Sequence, residues 1–196
     1  MNRMVLKSKA KEQLRGKWGY AALTAIILAA ITSAAAAFPL IGPVIGLVIT
    51  PVLTYGFISY NLQISRGKDV EISDLFVGFN RFPVVFVAGL LMSIFITLWS
   101  LLFIIPGIIA TLKYSLTYYI LIDNPDMTAV EAIDRSKEMT YGYKFDIFLL
   151  QLSFIGWGFL ATFTCGIGYF WLVPYMNVTF SNLYDELKGD NSYNYH

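Results

Sequence analysis

Long apolar runs broken by short polar segments dominate this chain, and they predict an all-α protein that lives in a membrane. A helix needs ~17–25 apolar residues to cross ~30 Å of hydrocarbon. Six runs reach or approach that length: residues 19–37, 43–62, 83–105, 107–122, 146–164 and 168–184. They are continuous rather than alternating, which favours spanning helices over barrel strands. Two depart from the pattern: the fourth is short and carries Lys113, and the sixth contains Pro174 and Asn177. Residues 38–42, Pro106-Gly107 and residues 165–167 carry no charge, whereas the other connections are longer and basic. The expectation is three helical hairpins whose tight turns lie on one side and whose amphipathic connecting helices lie on the other.

Charge assigns the sides. Arg3, Lys7, Lys9, Lys11, Arg15 and Lys17 precede the first run. Arg66, Lys68 and Arg81 lie between the second and third, Arg135, Lys137 and Lys144 between the fourth and fifth, and Lys188 after the sixth. Six crossings place every Lys and Arg except Lys113 on one face, which the positive-inside rule assigns to the cytoplasm, with both termini there. Composition agrees: 57% hydrophobic and 14% charged residues lie far from the ~45–50% and ~25% of soluble domains. The net charge of +1 is uninformative, and no nucleic-acid partner is expected. The basic start followed by a run ending in Ala34–Ala37 resembles a cleavable signal, but the run exceeds the usual ~7–15 residues. The next span begins almost at once, so the segment is expected to stay attached. Residues 1–188 are expected to form one membrane domain, with residues 189–196 a flexible cytoplasmic tail.

A period near 60 residues runs through the chain. A glycine beside aromatic and basic residues precedes each odd run: Gly16-Lys17-Trp18, Gly78-Phe79-Asn80-Arg81-Phe82 and Gly142-Tyr143-Lys144-Phe145. Each even run carries an aromatic pair: Tyr55 and Tyr60, Tyr114 and Tyr119, Tyr175 and Phe180. Three copies covering about 16–62, 78–122 and 142–188 would be parallel about an axis along the membrane normal. Hairpins of similar length, with aromatics at both interfaces, drift toward the same spacing without any repeat. The connecting segments are amphipathic. Leu6, Ala10, Leu14 and Trp18 recur every four residues among lysines, a pattern suited to an anionic leaflet. Ile72, Leu75, Phe76 and Phe79 form a second helical stripe. Thr128 and Glu131 make a capping box that opens a third segment, from Thr128 to Thr140. These are either interfacial connectors or surfaces for another membrane protein.

Candidate chemistry is sparse. Lys113 falls inside a run, where a charge marks a functional site by default. No acidic residue shares the span cores, so its partner is a carbonyl, Tyr114, Tyr118 or an external anion; alternatively it snorkels to the headgroups. Lys113, Tyr114, Tyr118 and Tyr175 are the candidate ligand-binding residues. Pro51 and Pro174 interrupt runs and free carbonyls. Cys165 is the sole cysteine and His196 the sole, terminal histidine. A thiolate metal cluster, an intrachain disulfide, H-E-x-x-H chemistry and histidine-activated serines are therefore excluded, and no cofactor or catalytic residue is expected.

From Ile105 onward the residues resemble a family of small integral membrane proteins common in Gram-positive bacteria, the domain of unknown function 975 family. The resemblance is carried by Pro106-Gly107-Ile108-Ile109, Lys113-Tyr114-Ser115, Glu131-Ala132-Ile133 with Ser136-Lys137, and Leu152-Ser153-Phe154-Ile155-Gly156-Trp157. It continues through Gly166-Ile167-Gly168 to Pro174-Tyr175 and Tyr184. It implies a bacterial plasma-membrane location and a helical fold, and no activity. A looser likeness to the membrane portion of some glycerophosphodiester phosphodiesterases implies an accessory role near lipid metabolism. The expected function is a non-catalytic protein that binds membrane lipid or supports another membrane protein. The alternative is a small-molecule or ion transporter with a site near Lys113.

Overall fold

The computed structural model describes residues 2–38 and 41–193, which are helical with no strand among them. Each unit begins with a short amphipathic helix and continues into two long helices. The first unit is α1 (Arg3–Gln13), α2 (Trp18–Ala36) and α3 (Gly42–Ser65). The second is a 3-10 helix (Ile72–Arg81), α4 (Phe82–Leu102) and a return helix in two pieces, α5 (Ile104–Tyr114) and α6 (Thr117–Asp123). The third is α7 (Ala129–Met139), α8 (Lys144–Phe163) and α9 (Tyr169–Tyr193). α9 thus continues as helix into the expected tail; residues 194–196, His196 included, lie outside the described residues.

Among the described residues, four segments are long and apolar enough to cross a membrane: Gly42–Ser65, Ile72–Leu102, Ile104–Asp123 and Lys144–Phe163. α1 and α2 qualify as a fifth only as a pair, bent by 96°. α9 exceeds the needed length, but Asp185, Glu186 and Lys188 occupy its C-terminal part.

The three short helices do not lie free on a surface. The predicted stripe of α1 is spent inside the protein: Leu6, Ala10 and Leu14 are buried, and α1 packs on α9. Gln13 and Asn182 pair through both amide groups, donating to each other at 3.1 and 2.7 Å. α7 likewise buries Ala129, Ala132, Ile133, Ser136 and Met139 against the second unit, leaving Val130 and charged side chains outward. The 3-10 helix differs. With three residues per turn, side chains at i and i+3 eclipse, so the 3.6-residue stripe breaks up. Leu75 is buried, while Ile72, Phe76 and Phe79 stay exposed.

α3 is the densest element. From Val52 to Ser65 nearly every residue is buried, while residues 43–50 are half-buried or exposed. That dense half depends on two close backbone approaches to the 3-10 helix. A Cβ on Gly56 would lie 1.8 Å from the Leu75 carbonyl oxygen, and one on Gly78 would lie 2.4 Å from that of Val52. The opposite ends of the hairpins are rich in exposed apolar side chains, from Leu101 to Ile105 and at Phe159, Phe163 and Ile167.

Candidate functional site

Lys113 sits at the end of α5, two residues before the helix breaks at Ser115-Leu116. The break frees backbone groups, and one side chain from α7 meets two of them. Ser136 Oγ donates to the Lys113 carbonyl at 2.7 Å and accepts from the Leu116 N–H at 3.3 Å. What the sequence presented as a lysine within a continuous span is therefore a lysine beside a plugged break. Tyr114 and Tyr118 line a hollow of about 310 Å³ between α3, α4, α5 and α6. Lys113 does not line it, and Tyr175 lies in a different groove, so the four candidate residues do not form one site.

That second groove, about 300 Å³, runs between α8 and α9 and is closed at one end by α1 and the start of α2. Tyr175 and Leu172 form its buried floor, with Trp18, Trp157 and Trp171 as walls. Three of the chain's four tryptophans therefore line one feature. One ammonium group, that of Lys11, sits against its aromatic rings, and a second, that of Lys7, lies one turn earlier on α1 against Phe154 outside the lining. Lys11 Nζ lies 5.6 Å from the Trp157 ring and 5.7 Å from that of Tyr175. Lys7 Nζ lies 4.1 Å over Phe154 and donates to the Ser153 carbonyl at 3.2 Å. Cation–π contact holds such charges without neutralising them. The Lys7 ammonium is pushed below the usual lysine range, first by burial and then by its neighbours Lys11 and Arg3.

Sequence reasoning assigned Lys7, Lys11 and Trp18 to a helix on the leaflet surface and gave Trp157 and Trp171 no place in a site. The available signal was weak: Trp157 and Tyr175 lie equally far from the charge-free turn at 165–167, a spacing that lets them face each other across a hairpin, with Trp171 one turn nearer the tip. The position of α1 across that hairpin had no local signal, because it depends on the Gln13–Asn182 pair.

The family model described as "Protein of unknown function (DUF975)" matches residues 1–111 and 101–191. The chain belongs to the DUF975 family. No curated protein and no solved structure matches it.

In this DUF975 protein the three return helices converge on one ion cluster. Asp123 ends α6 and accepts from both Arg66 guanidinium nitrogens at 2.6 and 2.8 Å, from Lys188 at 2.7 Å and from the Tyr184 hydroxyl at 3.2 Å. Arg66 follows α3 and also reaches Asp185 of α9 at 2.7 Å. Its bonds to Asp123 outweigh partial burial and hold it above the usual arginine range. Tyr119 and Tyr184 stack directly beneath, 5.6 Å apart. Arg81 donates to the carbonyls of Leu121 and Pro125, tying the second unit's entry to its own exit. Arg66, Lys188, Asp123 and Asp185 each have a counter-charge, and Arg81 has two carbonyl acceptors, so the cluster reads as a structural clasp. The Lys7 and Lys11 ammonium groups are the contrast: among the described residues they face rings and a carbonyl, with no carboxylate.

Proposed function

We propose that this protein is a non-catalytic multi-pass component of the bacterial plasma membrane that holds an anionic membrane lipid in the groove between α1, α8 and α9. The observation that carries this reading is Lys11 at the end of an apolar, tryptophan-walled channel that leads from it toward the α8–α9 turn, with Lys7 about one turn away on the same helix. A lipid phosphate would supply the counter-charge those ammonium groups lack, and an acyl chain would cover the exposed indoles. Tryptophan suits the job because one end of the ring is apolar and the other donates a hydrogen bond. Anionic lipid near a basic juxtamembrane segment gains ~1 kcal/mol per Lys or Arg, so two lysines supply a useful preference over zwitterionic lipid.

Six crossings with both termini in the cytoplasm accompany this reading. It is supported by the basic residues of the connecting segments and the uncharged tips of the three hairpins. An accessory role toward another membrane protein fits the outward, charged face of α7, where Asp134, Glu138 and Val130 are exposed. The basic N-terminal helix presents Met4 and Val5 in the same way.

The test is native mass spectrometry of protein reconstituted with phosphatidylglycerol and phosphatidylcholine at equal amounts. The wild type is expected to retain one phosphatidylglycerol, and Lys7→Ala/Lys11→Ala to lose it while keeping its helicity. Equal retention of both lipids, or no change in the double variant, would reject the groove as an anionic-lipid site.

A further inference from the structure

We infer that the hollow between α3, α4, α5 and α6 is a second lipid site, one that takes an uncharged glycerolipid of the diacylglycerol class. This inference stands apart from the anionic groove and uses different residues, although both belong to a lipid-handling protein.

The hollow is unusual for a segment that crosses hydrocarbon, because its polar surface consists of hydroxyl groups. Thr50, Thr54, Tyr114 and Tyr118 line it, and among the described residues their hydroxyls make no hydrogen bond; Thr50 and Thr54 also border the neighbouring hollow against α2 and α9. In an apolar medium an unmet hydroxyl costs roughly 1–3 kcal/mol by mutational measures, so where the hollow opens to hydrocarbon these groups favour an occupant that answers them. Three further hydroxyls play the opposite role. Ser93, Thr111 and Ser115 donate to carbonyls of their own helices, at Gly89 (2.8 Å), Gly107 (3.0 Å) and Leu112 (2.8 Å). Back-bonding of this kind uses the proton and leaves the oxygen as an acceptor. The hollow therefore offers donors from one set and acceptors from the other.

That pattern defines the ligand. It must present acceptors, as ester carbonyls do, and a donor, as a free hydroxyl does. It must carry no net charge, because no charged side chain lines the hollow and an unpaired ion at this depth is strongly disfavoured. Lys113 is on the chain nearby but contributes nothing to the lining. Met92, Ile96 and Pro51 provide apolar wall for the first part of an acyl chain. The volume of about 310 Å³ falls at the lower end of ligand pockets, enough for a glycerol head with its ester groups but not for two whole chains.

The mouth argues for a lipid rather than a dissolved solute. Thr50, Ser93 and Thr111, all exposed, form the rim, and they lie within Gly42–Ser65, Ile72–Leu102 and Ile104–Asp123, the segments apolar enough to span. A molecule entering there comes from the hydrocarbon, where acyl chains already are. The back wall is fixed by close packing: a Cβ on Gly89 would fall 2.5 Å from Pro51 Cβ and 2.6 Å from the Tyr118 hydroxyl oxygen. Gly89 thus lets Tyr118 reach the hollow across α4.

The experiment uses the full chain in nanodiscs doped with dioleoylglycerol and phosphatidylglycerol, read by native mass spectrometry. Wild type is expected to retain dioleoylglycerol, and Thr54→Val/Tyr118→Phe to retain at least tenfold less while still holding phosphatidylglycerol. A photoreactive diacylglycerol on the wild type supplies an independent readout, with crosslinks expected within residues 89–96 or 111–118. Equal dioleoylglycerol retention by both proteins, or crosslinks confined to α8 and α9, would overturn the inference. Capture of free glycerol in place of the glyceride would overturn it too, by assigning the hollow to a solute. Loss of phosphatidylglycerol by Lys7→Ala/Lys11→Ala with dioleoylglycerol kept would separate the two sites.

Discussion

Ser136 shows how much one small side chain decides. It is fully buried and answers both a donor and an acceptor at the α5–α6 break. Ser136→Ala would leave two buried backbone groups unpaired, at a cost of about 1–3 kcal/mol. Unfolding of the purified protein in mixed micelles, followed by circular dichroism, is expected to show that loss. α7 is expected to become more accessible to protease than α1. Arg66→Lys makes a complementary case. It keeps the charge but lacks the planar fork that binds Asp123 through two nitrogens while reaching Asp185. Because the guanidinium is 28% exposed, solvent trims the effect, and the expected loss is about 1–2 kcal/mol by the same measurement. None of this was legible in the sequence. Ser136 reads as a polar residue on an amphipathic helix, and Arg66, Asp123 and Lys188 are far apart along the chain.

At the scale of elements, local rules carried the reading a long way. The Thr128–Glu131 capping box forms as expected: Glu131 accepts from the Thr128 N–H at 2.8 Å, and Thr128 Oγ1 accepts from the Glu131 N–H at 3.4 Å. Those bonds depress the Glu131 carboxyl below the ordinary glutamate range, the backbone bond contributing most. A depressed folded-state value stabilises above the unfolded value, near 4.5, and the contribution is lost as pH falls through the folded value. The start of α7 is therefore expected to fray on acidification below about 4.5, and Glu131→Gln to remove that step; proteolysis by pepsin across the range checks both. Most boundaries of the long helices were also legible, because runs of apolar residues between charges leave few alternatives; the end of α9 was not, since the helix continues through Asp185, Glu186 and Lys188 to Tyr193. The 3-10 geometry of residues 72–81 was not, since it follows from contact between α3 and that segment rather than from its own pattern. Gly56 is the residue that permits the contact. Gly56→Ala is expected to cost about 1–3 kcal/mol by overpacking against the Leu75 carbonyl. Gly46→Ala in the same helix, with nothing within 4 Å of the new methyl, is expected to be neutral or stabilising by up to about 1 kcal/mol.

For the whole molecule, the way the bundle is tied together bears on which of the long helices cross. Burial along α3 is lopsided, dense beyond Val52 and open before it, and the three return helices share one clasp at their ends. A bundle clasped at one end and loose at the other places its charged segments together and its hairpin tips together. If α8 and α9 both cross, Cys165 in the turn between them faces the exterior, while position 189 lies in the cytoplasm. Cys165 is exposed and is the chain's only thiol, so the wild type is its own probe. A membrane-impermeant maleimide added to intact cells is expected to label it. Gly189→Cys in a Cys165→Ala background is expected to react only after the membrane is opened; an added side chain there meets nothing within 4 Å. Labelling of both positions from outside would mean that α9 returns along the interface with its acidic end exposed. The Arg66–Asp123–Asp185 clasp would then hold the bundle at the outer surface, and the lysines of the aromatic groove would face a lipid of the opposite leaflet.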